Sequence, residues 1–225
     1  ERRVGLLFVV GEERGSDGAR AANASPPGSR FLVNGEPTDN RLATATRGAL
    51  RVRLRAAGRA AHSATPERGE SAIDKLIDAL VRLRAIPLPR DPELGATLYN
   101  VGVIEGGVAP NVVPPHAAAE IMFRTVGPPD AILAAIAQLG STVGIEEVLR
   151  VPCVRLHTVP GFETASFPFT TDIPLLDRWG TPLLFGPGSI LVAHTDQEHV
   201  DLHALEAAVG HYVRIVQACL AQATA

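Results

Sequence analysis

The rhythm of hydrophobic positions changes twice along the chain. Val4 to Val10 is continuously apolar, strand-length and closed by Gly11, which predicts a buried strand of a parallel sheet covered on both faces. Beyond a Ser-, Pro- and Gly-rich loop from Ser25 to Ser29, Phe31 to Val33 predicts a second short strand that ends at Gly35-Glu36-Pro37-Thr38. From Gly48 the texture alternates. Leu50, Val52 and Leu54 interleave with Arg51, Arg53 and Arg55, the period-2 mark of a half-exposed strand. Ser71 to Arg84 then carries Ile73, Leu76, Ile77, Leu80 and Leu83 at helical spacing, stopped by Pro87 and Pro89.

Further on, strands are predicted around Thr97 to Ile104, Val112 to Arg124 and Glu146 to Val151, with a helix opened by Pro128-Pro129-Asp130 before the last of them. Strand, helix, strand, strand, helix, strand is the order of the ferredoxin-like unit, an antiparallel sheet with both helices on one face. After it the α/β texture returns. A Pro/Phe-rich stretch runs from Val159 to Pro168, a helix-like segment from Ile173 to Trp179, an apolar strand from Pro182 to Phe185 and an amphipathic helix from Leu202 to Gln222. One domain is interrupted by another, with boundaries at 1–45, 46–153 and 154–225.

With 225 residues, 46% hydrophobic and 20% charged, the chain has ample material for a core. A net charge of −3 offers no basic excess for a nucleic-acid backbone or an anionic membrane. No apolar run approaches the roughly 18–20 residues that span a bilayer. Two distant cysteines, Cys153 and Cys219, read as buried thiols in a reducing compartment, hence a cytoplasmic location. Glu1-Arg2-Arg3 runs directly into the first apolar segment without Met or a secretory leader, which suggests a fragment cut inside a catalytic domain.

The candidate chemistry sits at strand ends, where open α/β sheets place their sites. Glu12 and Glu13 follow the first apolar run, and paired acids can divide labour between holding a cation and moving a proton. Glu36 ends the second strand. Near the far end stand Gly186-Pro187-Gly188 and then His194, with Glu198 and His199 close by. A neutral imidazole is a good zinc ligand, and glycine amides can approach a carboxylate closely. Taken singly, each of these residues reads equally as solvated surface or structure. A serine hydrolase built on Ser189 or Ser63 is disfavoured, since no Gly-x-Ser-x-Gly elbow occurs.

In order, Gly11-Glu12-Glu13, Gly35-Glu36-Pro37, Gly58-Arg59-Ala60-Ala61-His62-Ser63, Gly106-Gly107-Val108-Ala109-Pro110-Asn111, Arg124 and Gly186-Pro187-Gly188 with His194 and Glu198 resemble the M20 family of metallopeptidases and amidohydrolases. That group includes acetylornithine deacetylase, succinyl-diaminopimelate desuccinylase, aminoacylase and carboxypeptidase G. The resemblance implies an α/β fold: a partial zinc-peptidase-type catalytic domain interrupted by a ferredoxin-like (βαββαβ) lid and dimerisation domain. It implies a metal-dependent hydrolase cleaving the amide of N-acyl amino acids or short peptides, closer to the biosynthetic deacylases than to the large dipeptidases.

By the same resemblance, Glu12 is the general base. Glu13 and His194 hold one metal, and Glu36 holds the other. His62 reaches a partner subunit's oxyanion. Asn111, Arg124, Gly186 and Gly188 bind substrate. Two zinc ions fill a complete site, with cobalt or manganese as substitutes. The expected assembly is a homodimer through the lid, built from the strand Ala49 to Ala57 and the first lid helix, with no nucleic-acid or membrane partner. The family's upstream His-x-Asp motif and metal-bridging Asp have no counterpart in this sequence, so the chain alone is expected to be inactive. The alternative is a non-catalytic binding or dimerisation module on the same framework.

Overall fold

The computed structural model describes residues 4–223. The charged lead Glu1-Arg2-Arg3 lies outside the described residues. By packing, the chain divides into two compact units, Glu1–Thr46 with Val154–Ala225, and Arg47–Cys153. The first unit opens with a 3-10 turn at Glu12–Arg14, helix α1 (Asp17–Ala24) and strands β1 (Phe31–Asn34) and β2 (Leu42–Thr46). The second holds β3 (Gly48–Ala57), α2 (Ala72–Leu83), the short pair β4 (Arg90–Asp91) and β5 (Gly95–Ala96), β6 (Leu98–Gly106), β7 (His116–Thr125), α3 (Pro129–Ile136) and β8 (Gly144–Val151). The chain then returns to the first unit with β9 (Val154–Arg155), β10 (Thr164–Phe167), β11 (Thr181–Leu184) and α4 (Leu202–Gln222).

The second unit is one antiparallel sheet in the order β6-β7-β3-β8, the ferredoxin-like arrangement. Alternation in β3 decides its two faces. Leu50, Val52, Leu54 and Ala56 turn inward, and Ala117, Ala119, Ile121 and Phe123 of β7 join them. Against this layer pack Leu76, Ala79 and Leu83 of α2 with Ile132 and Ile136 of α3, so both helices share one core. The opposite face carries the arginines: Arg53 pairs with Glu105 and Glu120, and Arg55 with Glu146 at 2.7 Å. Helix α2 starts where Ser71 caps it, its Oγ accepting the Asp74 N–H at 3.1 Å.

Because β3 lies between β7 and β8, both of its edges are used. The Ala49 to Ala57 strand therefore has no open edge to offer a second copy. The open edges among the described residues are β6 and β8, which alternation, reporting faces and not neighbours, does not show.

In the first unit β1 pairs in parallel with β11, and β2 lies between parallel β10 and antiparallel β9. Leu42, Leu183 and Phe185 meet Ala208, Ile215 and Cys219 on one stripe of α4. Asp201 caps that helix by accepting the Ala204 N–H at 3.0 Å. Neither cysteine is in a disulfide; Cys219 is buried and Cys153 half-buried. No helix among the described residues is long and apolar enough to cross a membrane.

Three local expectations change. Val4 to Val10 is not a buried strand. It has no regular structure, and Leu6, Phe8 and Val10 are 85%, 89% and 75% exposed. No described strand lies beside it, so its apolar pattern has no ladder to join; its backbone is tied to the fold where the Gly18 N–H donates to Val10 O at 3.0 Å. Ile173 to Trp179 is not a helix beyond the 3-10 turn at Ile173–Leu175. Strand β7 starts at His116 rather than Val112, since Pro114 and Pro115 have no N–H to give a ladder.

Phe123 is fully buried and its ring lies 5.6 Å from that of Tyr99. Phe123→Ala should lower stability by about 3–5 kcal/mol in urea unfolding followed by circular dichroism. Val108→Ala on the same unit, at a side chain 68% exposed, should change it by no more than about 0.5 kcal/mol.

Candidate active site

Parallel pairing of β1 with β11 brings the loops after their carboxyl ends together. The Phe185 N–H donates to Asn34 O at 3.1 Å, just past the paired residues. Beyond it, fully buried Thr38 ties the two loops. Its N–H donates to Gly186 O at 3.2 Å and its Oγ1 accepts the Gly186 N–H at 3.0 Å, while its hydroxyl hydrogen faces Arg41 O at 2.7 Å. The Asn40 and Asp39 amides donate to Gly186 O and Gly188 O at 2.9 and 2.8 Å. A Cβ on Gly186 would lie 2.4 Å from Glu36 O, so only glycine lets this loop close over Glu36. The Gly186 amide is thereby committed to Thr38.

Glu12 and Glu13 sit in the turn before α1. From the far end of the chain, His194 reaches the same place: its Nε2 is 2.7 Å from Glu13 Oε1. His194 holds a left-handed backbone, φ +61°, which costs a non-glycine residue energy unless its surroundings impose it. Glu198 does so by accepting the His194 N–H at 2.8 Å.

The carboxylates crowd one another. Burial, then Glu12, Asp172 and Glu13 in turn, push the Glu36 carboxyl up to about 7. Glu12 is raised by burial, by Glu13 and by Asp172, with His194 pulling the other way. The hydrogen bond and charge of Glu13 raise the His194 imidazole. This is a pocket of negative potential whose ionised form lacks a counter-charge. Its oxygen and imidazole donors suit a divalent cation of the zinc, cobalt or manganese kind. Among the described residues, no three His, Cys, Asp or Glu side chains stand close enough together to hold one unaided.

In the second unit, His62 and Asn111 meet although 49 positions of sequence separate them. His62 bridges to Val112, and Ser63 N–H donates to Asn111 O at 2.9 Å. The Ala64 N–H donates to His62 Nδ1 at 3.1 Å. A neutral imidazole whose Nδ1 accepts must carry its hydrogen on Nε2, so exposed His62 presents an N–H donor outward. Arg124 stands elsewhere. It lies at the other end of β7 from His116, about 27 Å along the strand, exposed and with no ion-pair partner among the described residues.

Residues 44–146 match the family model described as the peptidase dimerisation domain of M20. Across 96% of its length the chain is 39% identical to a probable carboxypeptidase of Aspergillus clavatus, covering 55% of that protein. It is 37% identical to another from Aspergillus niger, over 98% of this chain and 60% of the relative. By the dimerisation-domain match and these relatives, the chain is similar to M20 peptidases. It spans between half and two thirds of the length of these curated relatives. In fold it resembles the aminopeptidase PepT of Bacillus cereus, with a TM-score of 0.73 at 19% identity over 94% of this chain and 63% of that one. It also resembles a hydantoinase/carbamoylase-family amidase of Burkholderia phymatum, with a TM-score of 0.60 at 17% identity, covering 84% and 55% respectively.

Two residues of this site escape a reading of the sequence. Thr38 looks like any loop threonine until its partners 148 positions away are seen. Asp172, only 2% exposed with Oδ1 unpartnered, adds its charge to both Glu12 and Glu36. No motif marks it: it stands just before the 3-10 turn Ile173–Leu175, and only its burial sets it apart.

A carboxyl whose pKa rises on folding binds more protons in the native state, so stability falls as pH rises from 4.5, its ordinary value, to about 7. Discounted for partial solvent screening, the Glu36 share is about 1–3 kcal/mol. Glu36→Gln cannot ionise. In cation-free protein, the difference between wild-type and variant stability curves should open across that window and stay constant above it, measured by urea unfolding at stepped pH.

Proposed function

We propose that the protein containing this chain hydrolyses amides whose nitrogen belongs to an amino acid with a free carboxylate. N-acyl amino acids and the C-terminal bond of a short peptide both meet that description. The observation that carries the reading is the convergence of Glu13 with His194 at 2.7 Å beside a Glu12 carboxyl raised above its ordinary value. The names of the Aspergillus relatives, probable carboxypeptidases, support the peptide form.

Glu13 and His194 would hold one divalent cation and Glu36 a second, zinc being the best match to this donor set. When bound, such a cation supplies Lewis-acid polarisation of the amide carbonyl. The chain's own groups do the rest. Glu12 takes a proton from the attacking water and returns it to the leaving amine; burial and its acidic neighbours raise its carboxyl, which makes it a stronger base for that transfer. His62 donates its Nε2–H to the developing oxyanion. Asn111, on the neighbouring loop, serves the same substrate as His62. Arg124 offers its planar fork to the substrate carboxylate, and because it lies at the opposite end of β7 it serves the site of a different copy.

That division requires two subunits, and the dimerisation-domain match supports a homodimer. Edge strand β6 exposes Leu98, Val103 and Ile104, and α2 exposes Ile77 and Val81. Pairing of β6 with its symmetry mate would satisfy the open edge and cover both apolar sets.

In protein that turns over an acyl amino acid or peptide, Glu12→Gln should lower kcat about 100-fold or more while calorimetric zinc binding persists. His194→Ala should instead weaken that binding about tenfold or more. Retention of most wild-type turnover by Glu12→Gln overturns the base assignment, and absence of any cation binding favours a dimerisation module.

Mixing His62→Ala subunits with Glu12→Gln subunits should restore part of the lost activity. In a mixed dimer one of the two sites then has both groups. Mass spectrometry establishes the mixed dimers, and no recovery despite their presence shows that His62 does not act across the interface.

A further inference from the structure

Beside the candidate site lies a cavity of about 400 Å³ that belongs wholly to the first unit. Its walls include Pro37, Pro187, Gly188, Val192, Ala193 and Val200. Pro37 directly follows Glu36 and Ala193 directly precedes His194, so the cavity opens between the segments that carry two candidate ligands. The walls are held to one another by the Thr38 knot and by an isolated bridge between Thr38 and Ser189.

Its polar neighbours already have partners. Glu198 accepts the His194 N–H at 2.8 Å, and His199 Nδ1–H donates to Gln197 O at 2.6 Å. What they leave facing the space is mainly apolar. Gly188 forms part of the wall: a Cβ there would rest 3.5 Å from Val200 Cγ2 and 3.9 Å from Pro37 Cβ, and its φ of +82° disfavours any side chain. The volume lies in the range of pockets that take small-molecule groups.

We propose that this cavity selects the substrate by receiving a bulky apolar side chain, in the range of leucine to phenylalanine, next to the scissile amide. The proposal rests on the amide-hydrolase reading and adds to it the substrate class. An acidic side chain is disfavoured, because the Glu198 carboxylate at the wall repels it and no Lys or Arg lines the cavity to offset the charge. A glycine substrate leaves the apolar walls wet and gains nothing from them.

The test is binding to the 225-residue chain, read by amide NMR shifts and needing no turnover. N-acetyl-L-leucine should shift the amides of Val192, Ala193 and Val200 saturably. Its affinity should be about tenfold or more above that of N-acetylglycine, the gain expected from burying one aliphatic side chain. N-acetyl-L-glutamate should bind no better than the glycine probe. Val192→Trp, which fills the space, should erase the leucine preference, and Val192→Ala should reduce it several-fold with other amides unmoved, a control should the larger residue disturb the fold. Equal affinity for the leucine and glycine probes, or leucine shifts that avoid these residues, overturns the proposal. Failure of the Glu12 or cation tests leaves this preference intact, whereas loss of the preference with Glu12-dependent turnover preserved overturns the pocket alone.

Discussion

Much of the first unit depends on one buried hydroxyl. Thr38 exchanges backbone and side-chain hydrogen bonds with Gly186 across 148 positions of sequence. A buried amide and carbonyl left unpaired would each cost on the order of 1–3 kcal/mol, so the knot holds the two loops in one register rather than a family of them. Glu36 is set by the first loop and His194 by the continuation of the second. Replacing Gly186 with any larger residue would drive a carbon into the Glu36 backbone, which makes the loop contact and the glycine a single constraint.

Once the loops are fixed, electrostatics opposes the arrangement it creates. Glu12, Glu13, Glu36 and Asp172 act on one another through a partly desolvated region, with His194 opposing them at Glu12. The fold tolerates this like-charge repulsion because β-strand pairing and the α4 core, with Phe185 and Tyr212 rings 5.1 Å apart, hold the scaffold independently. A site under such repulsion is poised for a cation, since binding one replaces mutual repulsion with attraction for every member. The strain at His194, kept by Glu198, has the same origin: an unfavourable local conformation persists where a side chain must face the other members of the site.

The second unit follows a different logic. Its core of β3, β7, α2 and α3 is complete in itself, and its charged pairs occupy the sheet face away from the helices. His62 and Asn111 project from adjacent loops at one end of the sheet, while Arg124 stands at the other. The length of β7 thus keeps Arg124 about 27 Å from the end of the sheet where His62 and Asn111 meet, a distance no side chain can span.

Local chemistry was enough to read much of this from sequence. The helical spacing from Ser71 to Arg84 marks α2, the amphipathic stretch from Leu202 to Gln222 marks α4, and the Leu50-Arg51-Val52-Arg53 alternation marks β3 with its buried face, because periodicity acts within a few residues. The order of strands and helices identified the ferredoxin-like unit. Neighbours were not legible: alternation could not tell that β3 is central, and the apolar run Val4 to Val10 could not announce that no described strand lies beside it. The candidate ligands Glu13, Glu36 and His194 carry recognisable motifs, yet Asp172 and Thr38 carry none, since burial and long-range hydrogen bonds arise only when distant segments meet. The sequence by itself determined most of the elements and the residue types able to do chemistry. Tertiary structure alone decided which carboxylates share a field, which glycine amide is already committed and which loops of the second unit meet, because those properties depend on distances between segments that periodicity does not encode.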